Sequence, residues 1–257
     1  MSAGNTGTTD YTSINNHPTS MNKPSLLFLF PGQGAQTIGM GRDLATSYPV
    51  AKAVFEEVDD ALDQNLSELM WEGDIDTLTL TANAQPALMA TSIAVLRALK
   101  TEGITLESGS FVAGHSLGEY SALAAVGALS LSDTARLLRI RGNAMQNAVT
   151  FGEGAMAAIL GLDFNTVKTI AEVAAEGEVC QAANDNDPAQ VVVSGHKRAV
   201  ERAIDLAKNA GAKRALKLPV SAPFHCKLME PAAERMSEAL KVVDISKPTL
   251  PIIANVK

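Results

Sequence analysis

Gly114-His115-Ser116-Leu117-Gly118 sets a serine midway between two glycines, the G-x-S-x-G spacing of a nucleophile elbow. The short apolar run Phe111-Val112-Ala113 precedes it and a helical pattern opens at Glu119, so the strand, sharp turn and helix that the spacing needs are all in place. Such a turn holds the Ser116 hydroxyl at a helix N-terminus, where unpaired backbone N–H groups and the helix dipole favour developing negative charge. An ordinary glycine-serine turn is the competing reading, and the flanking elements favour catalysis.

A serine hydroxyl needs a base within hydrogen-bond reach, most commonly a histidine. The sequence has four. His17 lies in a polar N-terminal stretch, His115 points away from its neighbour at the elbow, and His196 begins a helix in a separate module. His225, in Pro223-Phe224-His225-Cys226, follows a strand end and is the best placed; a structural loop histidine is the alternative. Cys226 reads as a small packing residue, since no second histidine is left to serve it as a nucleophile.

Short elements must position these groups. Residues 26–30 form a continuous apolar run ended by Pro31-Gly32, a strand expected to be buried on both faces. Helical patterns fall at 47–62, 85–101, 119–128 and 132–148, and residues 252–256 read as a further strand. Strands alternating with helices imply a mainly parallel sheet covered on both sides. Between residues 155 and 218 the rhythm is β-α-β-β-α-β, the order of a ferredoxin-like module. The expected fold is therefore an α/β-hydrolase-like large domain (residues 23–148 and 217–257) with a ferredoxin-like subdomain inserted at 149–216. Residues 1–22 carry few core-forming side chains and read as a disordered tail. The final strand, with no capping element after it, raises the expectation of a truncated chain.

Composition limits the function classes. Nearly half of the 257 residues are apolar, but no uninterrupted apolar stretch reaches the length of a membrane span. A formal charge of −7 argues against nucleic-acid binding, and two cysteines without metal-ligand spacing support neither a zinc site nor a disulfide framework. A cytoplasmic protein without a cofactor is expected. Asn184-Asp185-Asn186-Asp187-Pro188 offers oxygen ligands, yet lacks the glycine and terminal glutamate of a calcium loop and reads as a turn.

Four separated segments carry a resemblance: Phe30-Pro31-Gly32-Gln33-Gly34-Ala35-Gln36, Gly114-His115-Ser116-Leu117-Gly118-Glu119-Tyr120, Arg141-Gly142 and Pro223-Phe224-His225. In this order the sequence resembles malonyl-CoA:acyl carrier protein transacylases from about Leu26 onward. The resemblance implies that Ser116 attacks the malonyl thioester of malonyl-CoA, that His225 shuttles the proton, and that a phosphopantetheine thiol of acyl carrier protein takes up the malonyl group. It also implies an oxyanion hole from the backbone N–H groups of Gln33 and Leu117. Arg141 suits the role of substrate anchor, because a guanidinium binds a free carboxylate through two charge-assisted hydrogen bonds. Phe224 resembles the residue that favours malonyl over branched methylmalonyl groups; a plain core role stays open. Members of this family usually continue for several dozen residues past the equivalent of Asn255 and supply a glutamine that orients the histidine. A serine hydrolase and an inactive carrier-binding fragment are the alternatives. Residues 197–217 hold seven cations against Glu201 and Asp205, either a docking patch for an acidic carrier or a solvated helix face.

Overall fold

The computed structural model describes residues 26–150, 152–220 and 222–256, so the expected tail over residues 1–22 lies outside the described residues. The chain opens with β1 (Leu26–Phe30). Five helices follow: α1 (Arg42–Ser47), α2 (Pro49–Leu62), α3 (Leu66–Glu72), α4 (Ile75–Thr79) and α5 (Thr81–Thr101). They lead to β2 (Gly109–Gly114), α6 (Leu117–Ala125) and α7 (Leu131–Asn147). The next segment contains β3 (Gly154–Leu160), α8 (Phe164–Ala175), β4 (Cys180–Asp187), β5 (Gln190–His196), α9 (Lys197–Asn209) and β6 (Arg214–Lys217). α10 (Glu230–Leu240) and β7 (Ile252–Ile253) close the description. None of the described helices is long and apolar enough to cross a membrane.

The architecture is mixed α/β with a parallel sheet of order β1-β2-β7 and a separate antiparallel sheet of order β4-β5-β3-β6. β2 is central in the parallel sheet, and its register sets Phe30 beside Gly114. The loops after β1 and β2 therefore leave the sheet side by side, and the His115 N–H donates to Phe30 O at 3.0 Å. Close approach is possible because Gly118 has no side chain: a Cβ there would lie 2.3 Å from Phe30 O. The main core joins α2, α5, α6 and α7 through Val54, Phe55, Met89, Leu117 and Leu138. A second core lies between the antiparallel sheet and helices α8 and α9, through Ile159, Val167, Val193 and Val200.

Several expectations need correction. β1 is not buried on both faces: Leu27 and Leu29 are exposed, while Phe28 and Phe30 pack toward α6. Among the described residues it is an edge strand of a three-stranded sheet, and an apolar run does not tell an edge from a centre. Among the described residues nothing covers the second face of that sheet, where Phe111 and Ile253 are exposed as well. α5 begins four residues earlier than expected, at Thr81, with Pro86 inside the helix rather than in its first turn. The stretch expected as one helix over 47–62 follows a separate short helix, α1, with Tyr48 extended between α1 and α2. Asn184–Asp187 belong to β4 rather than to a turn, which shrinks to Pro188 and Ala189; irregular register at Ala182/Asn184 and Asp185/Asp187 accommodates them. β7 stops at Ile253 because Asn255 turns away to bond α6. α3 and α4 are too short to show a helical period. α10 buries only Ala232, Met236 and Ala239 and had no strong apolar signature.

Candidate active site

Ser116 sits at the junction of β2 and α6 with φ 55° and ψ −111°, a region that costs a non-glycine residue free energy and recurs at functional sites. The turn is tight enough that a Cβ on Gly114 would lie 2.0 Å from Gly118 O. His225 is a second residue at positive φ, 60°, in the turn where the Phe224 N–H donates to Ala222 O at 3.1 Å. Asp63 and Glu176 share the sign, but both cap helix C-termini, where a left-handed residue is common.

These two strained turns converge. Ser116 Oγ lies 3.0 Å from His225 Nε2, and Arg141 Nη2 donates to the same oxygen at 3.0 Å. With Oγ accepting from the guanidinium, the hydroxyl proton points to Nε2, which requires the neutral Nδ1–H tautomer of His225. The imidazole is held neutral: desolvation, together with the positive field of Arg141 and the nearby His115, pushes its pKa down to about 4. Its outer side is nevertheless exposed, so a proton can exchange with solvent.

Arg141 reaches the site from the buried stripe of α7, between Leu138 and Met145 in helical register. α7 comes this close to α5 because Gly142 packs on Ala82, where a Cβ would meet Ala82 Cα at 2.5 Å. Arg141 Nη1 donates to Gln85 Oε1 at 2.6 Å, and its guanidinium lies 5.7 Å from the centre of the Tyr120 ring. Among the described residues no carboxylate lies within ion-pair distance of Arg141, and desolvation lowers its pKa. A partly buried cation without a counter-ion is costly unless an anionic ligand completes it. Arg136, by contrast, pairs with Asp133 on the outer face of α7.

A cavity of about 580 Å³ opens onto these groups, lined by Gln33, His115, Ser116, Arg141, Phe224 and His225 among others. Its apolar wall comes from Met145, Met156 and Val192, which cluster with the buried Phe224. Gln33 is in the cavity wall, and its Oε1 accepts from Thr81 Oγ1 at 2.9 Å. Leu117 is placed differently: its side chain is buried in the main core, so only its backbone adjoins Ser116. Among the described residues, no group of three or more His, Cys, Asp or Glu could hold a metal ion. The arrangement suits transfer of an acyl group through a serine ester, with a fixed positive charge beside the acyl chain.

Sequence reasoning missed several neighbours. Gln85 Nε2 donates to Thr81 Oγ1 at 2.8 Å, so a buried relay runs from Arg141 through Gln85 and Thr81 to Gln33. The i, i+4 pair Thr81 and Gln85 on an otherwise apolar helix face was a usable signal. His115 does not simply point away: it lines the cavity, and its Nε2–H donates to Asn186 Oδ1 at 3.1 Å, joining the elbow to β4. Cys226 is buried, its thiol donating to Pro223 O at 3.2 Å, and burial raises its pKa, which suits a packing role.

With this geometry in hand, the chain matches the acyl transferase domain over residues 27–257. It belongs to that family. Among similar proteins, the malonyl CoA-acyl carrier protein transacylase of Bacillus subtilis is 54% identical over 90% of this chain and 72% of its own length. The acyl-carrier-protein S-malonyltransferase structure from Bartonella henselae superposes with a TM-score of 0.87 at 58% identity, over 90% of this chain and 74% of that one. A structure of a type II PKS acyl-carrier protein in complex with its malonyl-transacylase gives a TM-score of 0.87 at 43% identity, over 91% of this chain and 75% of the other. The acyl transferase match includes all three side chains that meet at Ser116 Oγ.

Proposed function

We propose that this chain transfers a malonyl group from malonyl-CoA to the phosphopantetheine thiol of an acyl carrier protein through a malonyl-Ser116 ester. The observation that carries the reading is Arg141, a partly buried guanidinium with no carboxylate partner among the described residues, bonded to the nucleophile itself. A malonyl thioester supplies the missing charge. Its carboxylate takes the guanidinium as its thioester carbonyl comes to Ser116 Oγ. The printed functions of the similar proteins support the same substrate and the same carrier.

In this scheme His225 Nε2 accepts the Ser116 proton as Oγ bonds to the thioester carbon. The carbonyl oxygen becomes an oxyanion held by the backbone N–H groups of Gln33 and Leu117. Collapse breaks the C–S bond, and the leaving CoA sulfur takes the proton from the imidazolium. The carrier thiol then repeats the sequence in reverse: it gives its proton to His225, attacks the ester and returns the proton to Ser116. Phe224 narrows the acyl pocket beside Met156 and disfavours an α-branched acyl group. No cofactor enters these steps.

The strand order β4-β5-β3-β6 and its β-α-β-β-α-β connectivity support a ferredoxin-like reading of residues 149–216. The parallel sheet with its elbow after β2 supports an α/β-hydrolase-like reading of residues 23–148 and 217–257. Free, buried Cys180 and Cys226 fit a reducing cytoplasm. Incubation with radiolabelled malonyl-CoA, followed by peptide mapping, tests the function. Label is expected on the peptide containing Ser116 and absent from Ser116→Ala; label elsewhere, or free malonate formed without a thiol acceptor as fast as transfer proceeds, overturns the reading.

A further inference from the structure

Asn255 lies outside the cavity lining, yet it is bonded to the elbow at three points. Its Oδ1 accepts from the Ser116 N–H at 2.8 Å, and its Nδ2 donates to Gly114 O at 2.6 Å. Its own backbone N–H donates to Glu119 Oε2 at 2.9 Å. The three contacts fall before, on and after the nucleophile. The side-chain amide thus matches one donor and one acceptor of a turn that the β1–β2 register alone does not fix.

The need for such a brace follows from the backbone. Ser116 occupies a sparsely populated conformation, and residues of this kind persist only where surrounding contacts over-determine them. His115 is tied to β1 through Phe30 O, and Gly118 packs against the same carbonyl. Between them the Ser116 N–H would have no strand or helix partner, since it precedes the first turn of α6. Asn255 supplies that partner from β7's end, 139 residues away in sequence. A rotation of the Ser116 peptide would move Oγ off the line to His225 Nε2 and tilt the Leu117 N–H at once.

We propose that Asn255 is a positioning residue for the nucleophile, holding the Ser116 turn in its reactive conformation from the end of β7. This rests on the reading of Ser116 as the residue acylated by malonyl-CoA. It acts through Ser116 and makes no contact with substrate, so its loss should slow acylation while leaving the acyl donor's binding unchanged.

Single-turnover acylation by radiolabelled malonyl-CoA, run on the full chain, separates the possibilities because it yields a rate constant, a final stoichiometry and a half-saturating concentration. Asn255→Ala should reach the wild-type stoichiometry with a rate constant about tenfold lower and half-saturation within about twofold of wild type. Asn255→Asp keeps the acceptor for Ser116 N–H but turns an oxygen toward Gly114 O and adds a second carboxylate beside Glu119. It should be slower still, and being the same size it tests the idea if the alanine variant folds poorly. Wild-type rate constants in the folded fraction of both variants, with only stoichiometry or melting temperature reduced, would mean a merely structural role and overturn the proposal. A raised half-saturating concentration with an unchanged rate constant would overturn it too. Failure of the wild-type chain to acquire label would instead remove the underlying assignment of Ser116, so the two failures are distinct.

Discussion

In the four-stranded antiparallel sheet, α8 and α9 seal one face with Ile159, Val193 and Val200, and the other face turns Met156 and Val192 toward the cavity. In the three-stranded parallel sheet, α6 packs on Phe30 and Val112, while the opposite face leaves Leu27, Leu29, Phe111 and Ile253 exposed. The antiparallel unit supplies walls and two asparagines, whereas both groups bonded to Ser116 Oγ come from outside its strands and helices, Arg141 from the middle of α7 and His225 from the turn that follows β6. Both residues of the candidate site at positive φ, Ser116 and His225, also lie outside the antiparallel unit. Ser116 itself stands in the loop leaving the C-terminal end of a parallel strand, where backbone groups are free to bind a ligand, as is general for open α/β sheets. Regular antiparallel pairing consumes those groups and leaves side chains to shape the pocket.

If that division is right, changes to the groups that meet at Ser116 Oγ should damage the chemical step most. His225→Ala should lower the acylation rate by ~10²- to 10⁴-fold, the size expected for loss of a general base. The pH dependence sharpens this. With its pKa pushed down to about 4, His225 stays neutral through most of the acid range, so the acid limb of kcat/KM should lie well below the ordinary imidazole value. A malonyl carboxylate on Arg141 offsets the positive field that disfavours imidazolium, so the acid limb of kcat should lie at higher pH than that of kcat/KM. The same shift has a stability consequence. Below its ordinary pKa the unfolded chain takes up a proton that folded His225 refuses until about pH 4, so this contribution is complete above about 6.5 and falls away as pH drops through that window. Solvent on the exposed side of the ring reduces its size. Acid limbs at the ordinary imidazole pKa, together with near-normal acylation by the alanine variant, would move the base elsewhere.

Arg141→Ala should come next, reducing the preference for malonyl-CoA over acetyl-CoA about ten- to hundredfold, or roughly 1.5 to 3 kcal/mol for one charge-assisted pair. Equal losses on the two donors would make Arg141 a scaffold for Ser116 and Gln85 instead. The smallest effect should come from the antiparallel unit. Of its seven cations over residues 197–217, Arg202, Lys208 and Lys217 pair with carboxylates, whereas Lys213 and Arg214 are exposed beside and on β6. Replacing both with Glu should slow transfer to an acidic carrier several-fold and weaken its salt dependence, with acylation by malonyl-CoA little changed. Unchanged carrier transfer would remove this strand from docking, and slowed acylation would break the division between the two units.

How much of this was legible depended on whether the signal was local. The elbow could be read because a serine flanked by close-packed glycines, between an apolar run and a helix, leaves a pattern within a dozen residues. The β-α-β-β-α-β order from residue 154 could be read for the same reason, since each element has its own period and its own turn. Arg141 could have been singled out without any resemblance, as a charge in the buried stripe of α7. What could not be read was which faces are covered: β1 has the same apolar sequence whether it lies at an edge or a centre, and only its neighbours decide.

By itself the sequence determined the local chemistry: a serine at a glycine-flanked elbow, a loop histidine, a guanidinium and the alternation that builds an α/β fold. Tertiary structure alone decided their relations. His225 meets Ser116 across 109 residues, Asn255 meets it across 139, and His115 reaches Asn186 across 71, each by a hydrogen bond of about 3 Å. The physical reason is that a hydrogen bond depends on separation and angle in space, both set by how strands pair and helices pack. Chain periodicity reports only which face of an element is apolar. The Arg141, Gln85, Thr81 and Gln33 relay exists because Gly142 lets α7 approach Ala82, a fact of packing that no single segment carries.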